Sequence, residues 1–195
     1  MDRSSRRHSS PGRGSSSPAA LALLLLLLAA PGVSAQTAPR TGPVIEGFGP
    51  TFDVPDPDYP TPLAVPYRVI FDIADAAGTP DGRSTRFETV ARFLNMHVKA
   101  GVPLENLDVV VAVHGAAGKD LLDHAGYRER HGIENPNAEL IRALLDAGVE
   151  IALCGQTAAS RGLGREELLP GVKLALSAMT TLVTRQNQGY ALIPW

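Results

Sequence analysis

From Tyr67 to the C-terminal end, short β-branched runs alternate with stretches of helical spacing, and this alternation restricts the fold more than any other feature. Arg68 to Ala74 (RVIFDIA) reads as a first strand. Ser84 to Ala100 reads as a helix: Phe87, Val90, Ala91, Leu94 and Val98 recur at helical spacing, Thr85 and Glu88 have capping-box spacing, and Gly101 can end it. Leu107 to Val113 (LDVVVAV) is a β-branched run of strand length. Asn135-Pro136 opens a second helix with Leu140, Ile141, Leu144 and Leu145 on one face, closed by Gly148. Val149 to Leu153 is the next strand, and Glu166 to Leu169 a short helical turn. Val172, Leu174, Leu176 and Ala178 alternate as in a strand, Met179, Leu182 and Val183 begin a last helix, and Tyr190 to Ile193 is a final strand. Repeated strand–helix alternation implies parallel strands joined by right-handed crossovers. The expected fold is α/β, a three-layer α/β/α domain over residues 67–195 with a mainly parallel sheet of about five strands.

The region before this domain has a different character. Residues 1–35 have the layout of a cleavable signal peptide. Arg3, Arg6, Arg7 and Arg13 form a basic start, Ala19 to Ala30 (AALALLLLLLAA) an apolar block too short to span a bilayer, and Val33-Ser34-Ala35 a cleavage site. A retained anchor is the alternative. Cleavage would remove four arginines and one aspartate, leaving a product more acidic than the formal −2 of the whole chain. Such a product offers no basic patch to nucleic acid. It is expected in the periplasm or outside the cell, without stable membrane insertion.

Residues 36–66 hold half of the chain's prolines (TGPVIEGFGPTFDVPDPDYPTPLAVP from Thr41 on) and so cannot form a regular helix. Val44, Ile45, Phe48, Phe52 and Tyr59 make the segment too apolar for a plain tether. Two readings stand: an extended arm lying on a surface, such as a neighbouring subunit's, or a flexible linker.

In open parallel sheets ligands gather outside the carboxyl ends of the strands. The first strand ends near Asp72-Ile73-Ala74-Asp75, the second at His114-Gly115, and the third at Cys154-Gly155-Gln156. A base and the only thiol of the chain are thus expected at one edge of the sheet. Cys154 reads in two ways. It is a nucleophile if nearby N–H groups favour its thiolate, or an inert buried side chain. Gly155 would let the backbone pass close to a bound group, and Gln156 and Thr157 could donate hydrogen bonds. His114 is either a partner of the thiol or a bond to a neighbouring loop. His124 to Gly132 (HAGYRERHG) reads as a polar, solvated stretch with no zinc spacing. There is no GxGxxG after a strand, no Walker A sequence and no GxSxG, so neither nucleotide nor serine-hydrolase chemistry is supported. No metal and no cofactor are expected.

The run HGAAGKDLLDHAGYRERHGIENPNAELIRALLDAGVEIALCGQTAASRGL, followed by ELLPGVKLALSAMTTLVTRQNQGYALIP, resembles the DsrE family. The arm VIEGFGP and the signal peptide resemble its exported branch. The resemblance implies the DsrE/DsrF-like (YchN-like) α/β fold and a homo-oligomer, a trimer or hexamer. It also implies a sulfur relay in which a cysteine carries a persulfide between a donor and an acceptor protein. In the relay subunits the active cysteine ends a strand and precedes an Arg-Gly pair. Cys154, seven residues before Arg161-Gly162, holds that position. This chain departs from them in its apparent export and in Gly155-Gln156. The first reading is therefore a persulfide carrier at Cys154, the position the resemblance implies, with His114 as a candidate beside it and Gly115, Gly155, Gln156 and the more distant Asn95 as ligand-binding candidates from the strand-end reading. The competing reading is a non-catalytic oligomeric module that binds a small ligand and uses Cys154 for packing. A disulfide between two copies through Cys154 is a third.

Overall fold

The computed structural model describes residues 38–194; the expected signal peptide lies outside them. Five strands, β1 (Tyr67–Ile73), β2 (Leu107–Val113), β3 (Glu150–Cys154), β4 (Lys173–Ala175) and β5 (Ala191–Pro194), form one sheet in the order β4-β3-β2-β1-β5. All four pairings are parallel. Val113 is in register with both Ile73 and Leu153, so β1, β2 and β3 reach their carboxyl ends side by side.

The three central strands are apolar on both faces, as a covered parallel sheet requires. On one face Val69, Phe71, Ile73, Val109, Val111, Val113, Ile151 and Leu153 pack against α1 (Thr85–Lys99) and α3 (Ala138–Asp146) through Phe87, Val90, Leu94, Leu140, Ile141 and Leu144. Each of these helix side chains contributes about 1.5–3 kcal/mol by leaving water. On the opposite face Ile70, Val110, Ala112 and Cys154 meet Ala178 and Leu182 of α5 (Ala178–Asn187), together with Tyr190. The result is the expected three layers, with unequal cover.

Two helices escape the apolar-periodicity reading. The stretch HAGYRERH is helix α2 (His124–His131), capped by Asp123, which accepts from the Gly126 amide at 2.7 Å, and ended by Gly132 at φ +75°. Only Gly126 and Tyr127 of it are buried, so no hydrophobic stripe announces it. The segment after Cys154, to which the periodicity assigns no element, is helix α4 (Gly155–Arg161). A 3-10 turn, Gly115–Leu121, follows β2 directly. Conversely, the strand expected from Val172 shrinks to three residues, because Ser177 turns the chain by capping α5 and accepting from the Thr180 amide at 3.0 Å.

The first part of the proline-rich arm lies on α1 of the same chain. Ile45 is 1% exposed, and Val44 and Phe48 pack beside it. The Asn95 side chain organises this contact: Oδ1 accepts the amides of Val44 and Ile45 at 3.0 and 2.8 Å, and Nδ2 donates to the carbonyls of Ile45, Phe48 and Gly49. Glu88 accepts the Gly49 amide at 2.6 Å, and Arg92 donates to the Pro50 carbonyl at 2.9 Å. The expected capping box is therefore corrected. Ser84 caps α1, and Glu88 serves the arm. Beyond Thr51 the arm follows α1 to its end, where Lys99 pairs with Asp53 at 2.5 Å, while Phe52, Val54 and Tyr59 are exposed.

Candidate functional site

The carboxyl edge of the sheet assembles three side chains on the α5 face. Along β1 the residues Ile70 and Asp72 share that face, along β2 Val110, Ala112 and then His114, along β3 Ala152 and Cys154. The sheet's alternation and register thus bring Asp72, His114 and Cys154 to one end of one face. His114 and Cys154 follow the paired Val113 and Leu153 on neighbouring strands, which lie about 4.8 Å apart. His114 Nε2 is 3.0 Å from Asp72 Oδ1. Asp72 orients the imidazole and favours a proton on Nε2.

Cys154 is the last residue of β3 and the residue that caps α4. Burial pushes its thiol up, but the donors aimed at the sulfur outweigh it: the Thr157 amide, the Ala178 amide, the Thr157 hydroxyl and the Gln156 amide hold the thiol below its usual range. These donors come from two directions, the first turn of α4 and the start of α5. The Thr157 hydroxyl oxygen is itself engaged, accepting the Gly115 amide at 3.1 Å. Its proton is thereby left for the sulfur. The arrangement stabilises a thiolate in a site from which water is largely excluded, the residue being 6% exposed.

Both glycines of the site serve the backbone. Gly115 has φ +58°, and a Cβ there would sit 3.0 Å from the Ala74 carbonyl oxygen. A Cβ at Gly155 would lie 2.5 Å from the Ala175 carbonyl oxygen. Gly155 thus allows α4 to start hard against β4, a closer reason than the expected approach to a ligand. Gln156 keeps its side chain exposed, its amide nitrogen 3.4 Å from the Leu176 carbonyl, while its backbone N–H faces the sulfur.

Asn95 does not belong to this cluster. It is fully buried in α1 with both amide atoms committed to the arm, and has no free bonding capacity for a ligand.

Asp72 and Arg130 receive no role from the sequence, and Thr157 is named only as a possible hydrogen-bond donor. Asp72 was legible in principle, because strand alternation puts it on the face of His114. The place of the Thr157 hydroxyl beside the sulfur was not, because only the helical turn after Cys154 brings it back there. Arg130 braces the segment after α4: it holds Glu167 through both carboxylate oxygens, at 2.6 and 3.0 Å, and the Gly162 carbonyl at 2.7 Å. Among the described residues no group of three or more His, Cys, Asp and Glu is placed to hold a metal ion. Nor is any described helix long and apolar enough to cross a membrane.

Residues 68–195 match the model of the DsrE/DsrF-like family. Among the solved structures similar to the chain are the following two. One is a protein of unknown function, MTH1491 from Methanobacterium thermoautotrophicum, 22% identical, with 66% of this chain and 99% of that chain covered and a TM-score of 0.49. The other is the ychN protein from E. coli, 17% identical, with coverage of 66% and 99% and a TM-score of 0.48. No curated protein matches the chain.

Proposed function

The chain belongs to the DsrE/DsrF-like family, and from that premise we propose that it carries sulfane sulfur as a persulfide on Cys154. The observation that carries this reading is the place of Cys154, at the carboxyl end of a central strand and at the N-cap of α4, where its thiol is held below its usual range although the side chain is buried. The chemistry needs one sulfur-bearing residue and no cofactor. The Cys154 thiolate attacks the outer sulfur of a donor persulfide, R–S–SH. The S–S bond of the donor breaks, R–S⁻ leaves with the electron pair, and Cys154–S–SH remains. An acceptor thiolate then attacks the outer sulfur in turn, and Cys154 leaves as thiolate. No net oxidation occurs. The amides that favour the thiolate favour it again as leaving group. His114, oriented by Asp72, is the group at this edge suited to exchanging the proton of the incoming or departing thiol.

One observation favours the second reading, a small-ligand-binding module with a structural cysteine. Cys154 packs among Ile70, Val110, Ala112 and Ala178, and a partner must reach the sulfur past them.

The proposed compartment, periplasmic or secreted, rests on residues 1–35 of the sequence. The proposed trimer or hexamer is supported by the apolar side chains left uncovered on and beside α5, with Leu176 73% exposed, Met179 72% and Val183 57%. Size-exclusion chromatography with and without residues 36–62 tests whether the arm contributes to assembly.

The experiment for the reaction is intact mass of the processed protein before and after incubation with inorganic polysulfide. The expected result is a gain of one sulfur atom, reversed by dithiothreitol and absent in Cys154→Ser. Unchanged mass together with an ordinary thiol titration would sink the carrier and leave the binding module.

A further inference from the structure

The edge of the sheet around Cys154 is built from segments without formal charge. Residues 112–118, 152–160 and 174–184 contain no Lys, Arg, Asp or Glu. The cations that bound these segments are committed elsewhere or stand apart. Lys119 donates to Asp120 and to the Tyr127 hydroxyl. Lys173 and Arg185 both pair with Glu150, which opens β3 while Cys154 closes it. Arg161 is exposed at the far end of α4.

One carboxylate enters this neutral edge, from β1. Asp72 is level with Ala112 of β2, and Ala112 with Ala152 of β3, two residues before Cys154. Two strand spacings and one two-residue step put the Asp72 and Cys154 backbones about 12 Å apart. His114 stands between them, its Nε2 3.0 Å from Asp72 Oδ1. The Asp72 side chain is 31% exposed, so its charge is screened less than one held in open water. Asp75, the next carboxylate along, is 71% exposed and paired with Arg86.

We propose that Asp72 sets the charge selectivity of the Cys154 site: it disfavours reagents that bring a carboxylate, sulfonate or phosphate to the thiol and leaves those whose carrier group is uncharged. Applied to sulfur donors and acceptors, this rests on the persulfide reading; the field at the thiol does not. With the imidazole neutral, the Asp72–His114 pair carries one full negative charge beside the only route a reagent has along this edge of β2. At about 12 Å, Coulomb's law makes each negative charge on the reagent cost about two- to tenfold in rate, for an effective dielectric between that of water and that of a protein surface.

The test uses the only cysteine of the chain, so every adduct reports on Cys154. Alkylation rates of the intact protein are measured with iodoacetamide, which is neutral, and iodoacetate, which is anionic, at about pH 8.5, above the usual imidazole range. Their ratio cancels any change in thiolate fraction or access that both reagents share, including one caused by a shift of His114. In Asp72→Asn at low salt, iodoacetate should gain about two- to tenfold on iodoacetamide. High salt should shrink that gain, and Asp72→Glu should show none. Asp72→Ser gives the same reading should the amide disturb the fold. An unchanged ratio in the neutral variants would overturn the proposal, as would a gain that salt leaves intact. Intact mass then reads the donors, with glutathione persulfide set against the persulfide of N-acetylcysteinamide. The second should load Cys154 faster in the parent and lose that lead in Asp72→Asn. Loading by neither, with the alkylation ratio shifted as expected, refutes the carrier and leaves the selectivity of Asp72 standing.

Discussion

The backbone N–H of Gly115 donates to the Thr157 hydroxyl oxygen at 3.1 Å, joining the end of β2 to the helix that Cys154 caps. The same hydroxyl is among the groups that lower the Cys154 thiol, so residues 42 positions apart bear on one thiol. Thr157→Val removes that donor while keeping shape. Hydrogen bonds to charged groups contribute about 1.5–3 kcal/mol, so the thiolate fraction at neutral pH should fall roughly tenfold or more. The rate of iodoacetamide alkylation against pH measures it. Thr157→Ser should restore most of the rate; an unchanged pH profile in Thr157→Val would show that the hydroxyl does not bear on the thiol.

The Gly155→Ala variant tests how tightly α4 is seated on β4. Its Cβ would meet the Ala175 carbonyl oxygen at 2.5 Å, a contact with backbone that no side-chain rotation relieves. The expected cost is about 1–3 kcal/mol, the usual range for overpacking. Urea unfolding measures it, and the alkylation profile should shift with it, because α4 carries two of the amides that face the sulfur.

Asn95→Ala should release the arm. The substitution leaves the buried Ile45 amide without its acceptor and removes the donor to three carbonyls. A loss of about 2–4 kcal/mol is expected from the orphaned groups. Limited proteolysis should then cut within residues 40–51. Equal resistance to protease in the variant and the parent would mean that Glu88 and Arg92 hold the arm without Asn95.

Glu150 sets a pH dependence of stability. Burial pushes its carboxyl up, but hydrogen bonds and charge from Lys173 and Arg185 outweigh this and hold it below its ordinary value of 4.5. With the folded value depressed, the unfolded chain binds the proton more readily, so stability rises with pH across this window. The contribution is present in full above pH 4.5 and is lost as pH falls through the folded value below it. Solvent screening keeps it to roughly 1 kcal/mol, since the pair with Lys173 lies at the surface. Urea midpoints from pH 3 to 7 on the parent and on Glu150→Gln should differ at neutral pH and converge in acid (a range of about four pH units spans the transition). Parallel curves would remove Glu150 as the cause.

The strand and helix runs of the domain were readable because they carry strong periodic signals. Val109 to Val113 (VVVAV) has no polar break, and Leu140, Ile141 and Leu144 repeat at helical spacing. Helix α2 was not readable, since HAGYRERH buries only Gly126 and Tyr127 and is held by its Asp123 cap and its Gly132 stop. For the candidate site, the strand-end rule pointed to the edge where Asp72, His114 and Cys154 stand, but not to the pairing of Asp72 with His114 or the turn that brings Thr157 beside Cys154.

By itself the sequence determined the α/β class, the positions of the central strands and the edge at which Cys154 stands. These follow from local patterning, in which each residue's burial is set by its neighbours along the chain. Only the tertiary structure decided what surrounds the sulfur, why Gly155 is a glycine, and that Asn95 serves the arm. Those depend on contacts between Cys154 and Ala178, Gly155 and Ala175, and Asn95 and Ile45. Hydrogen bonds act over about 3 Å in space, and separation along the chain carries no record of them.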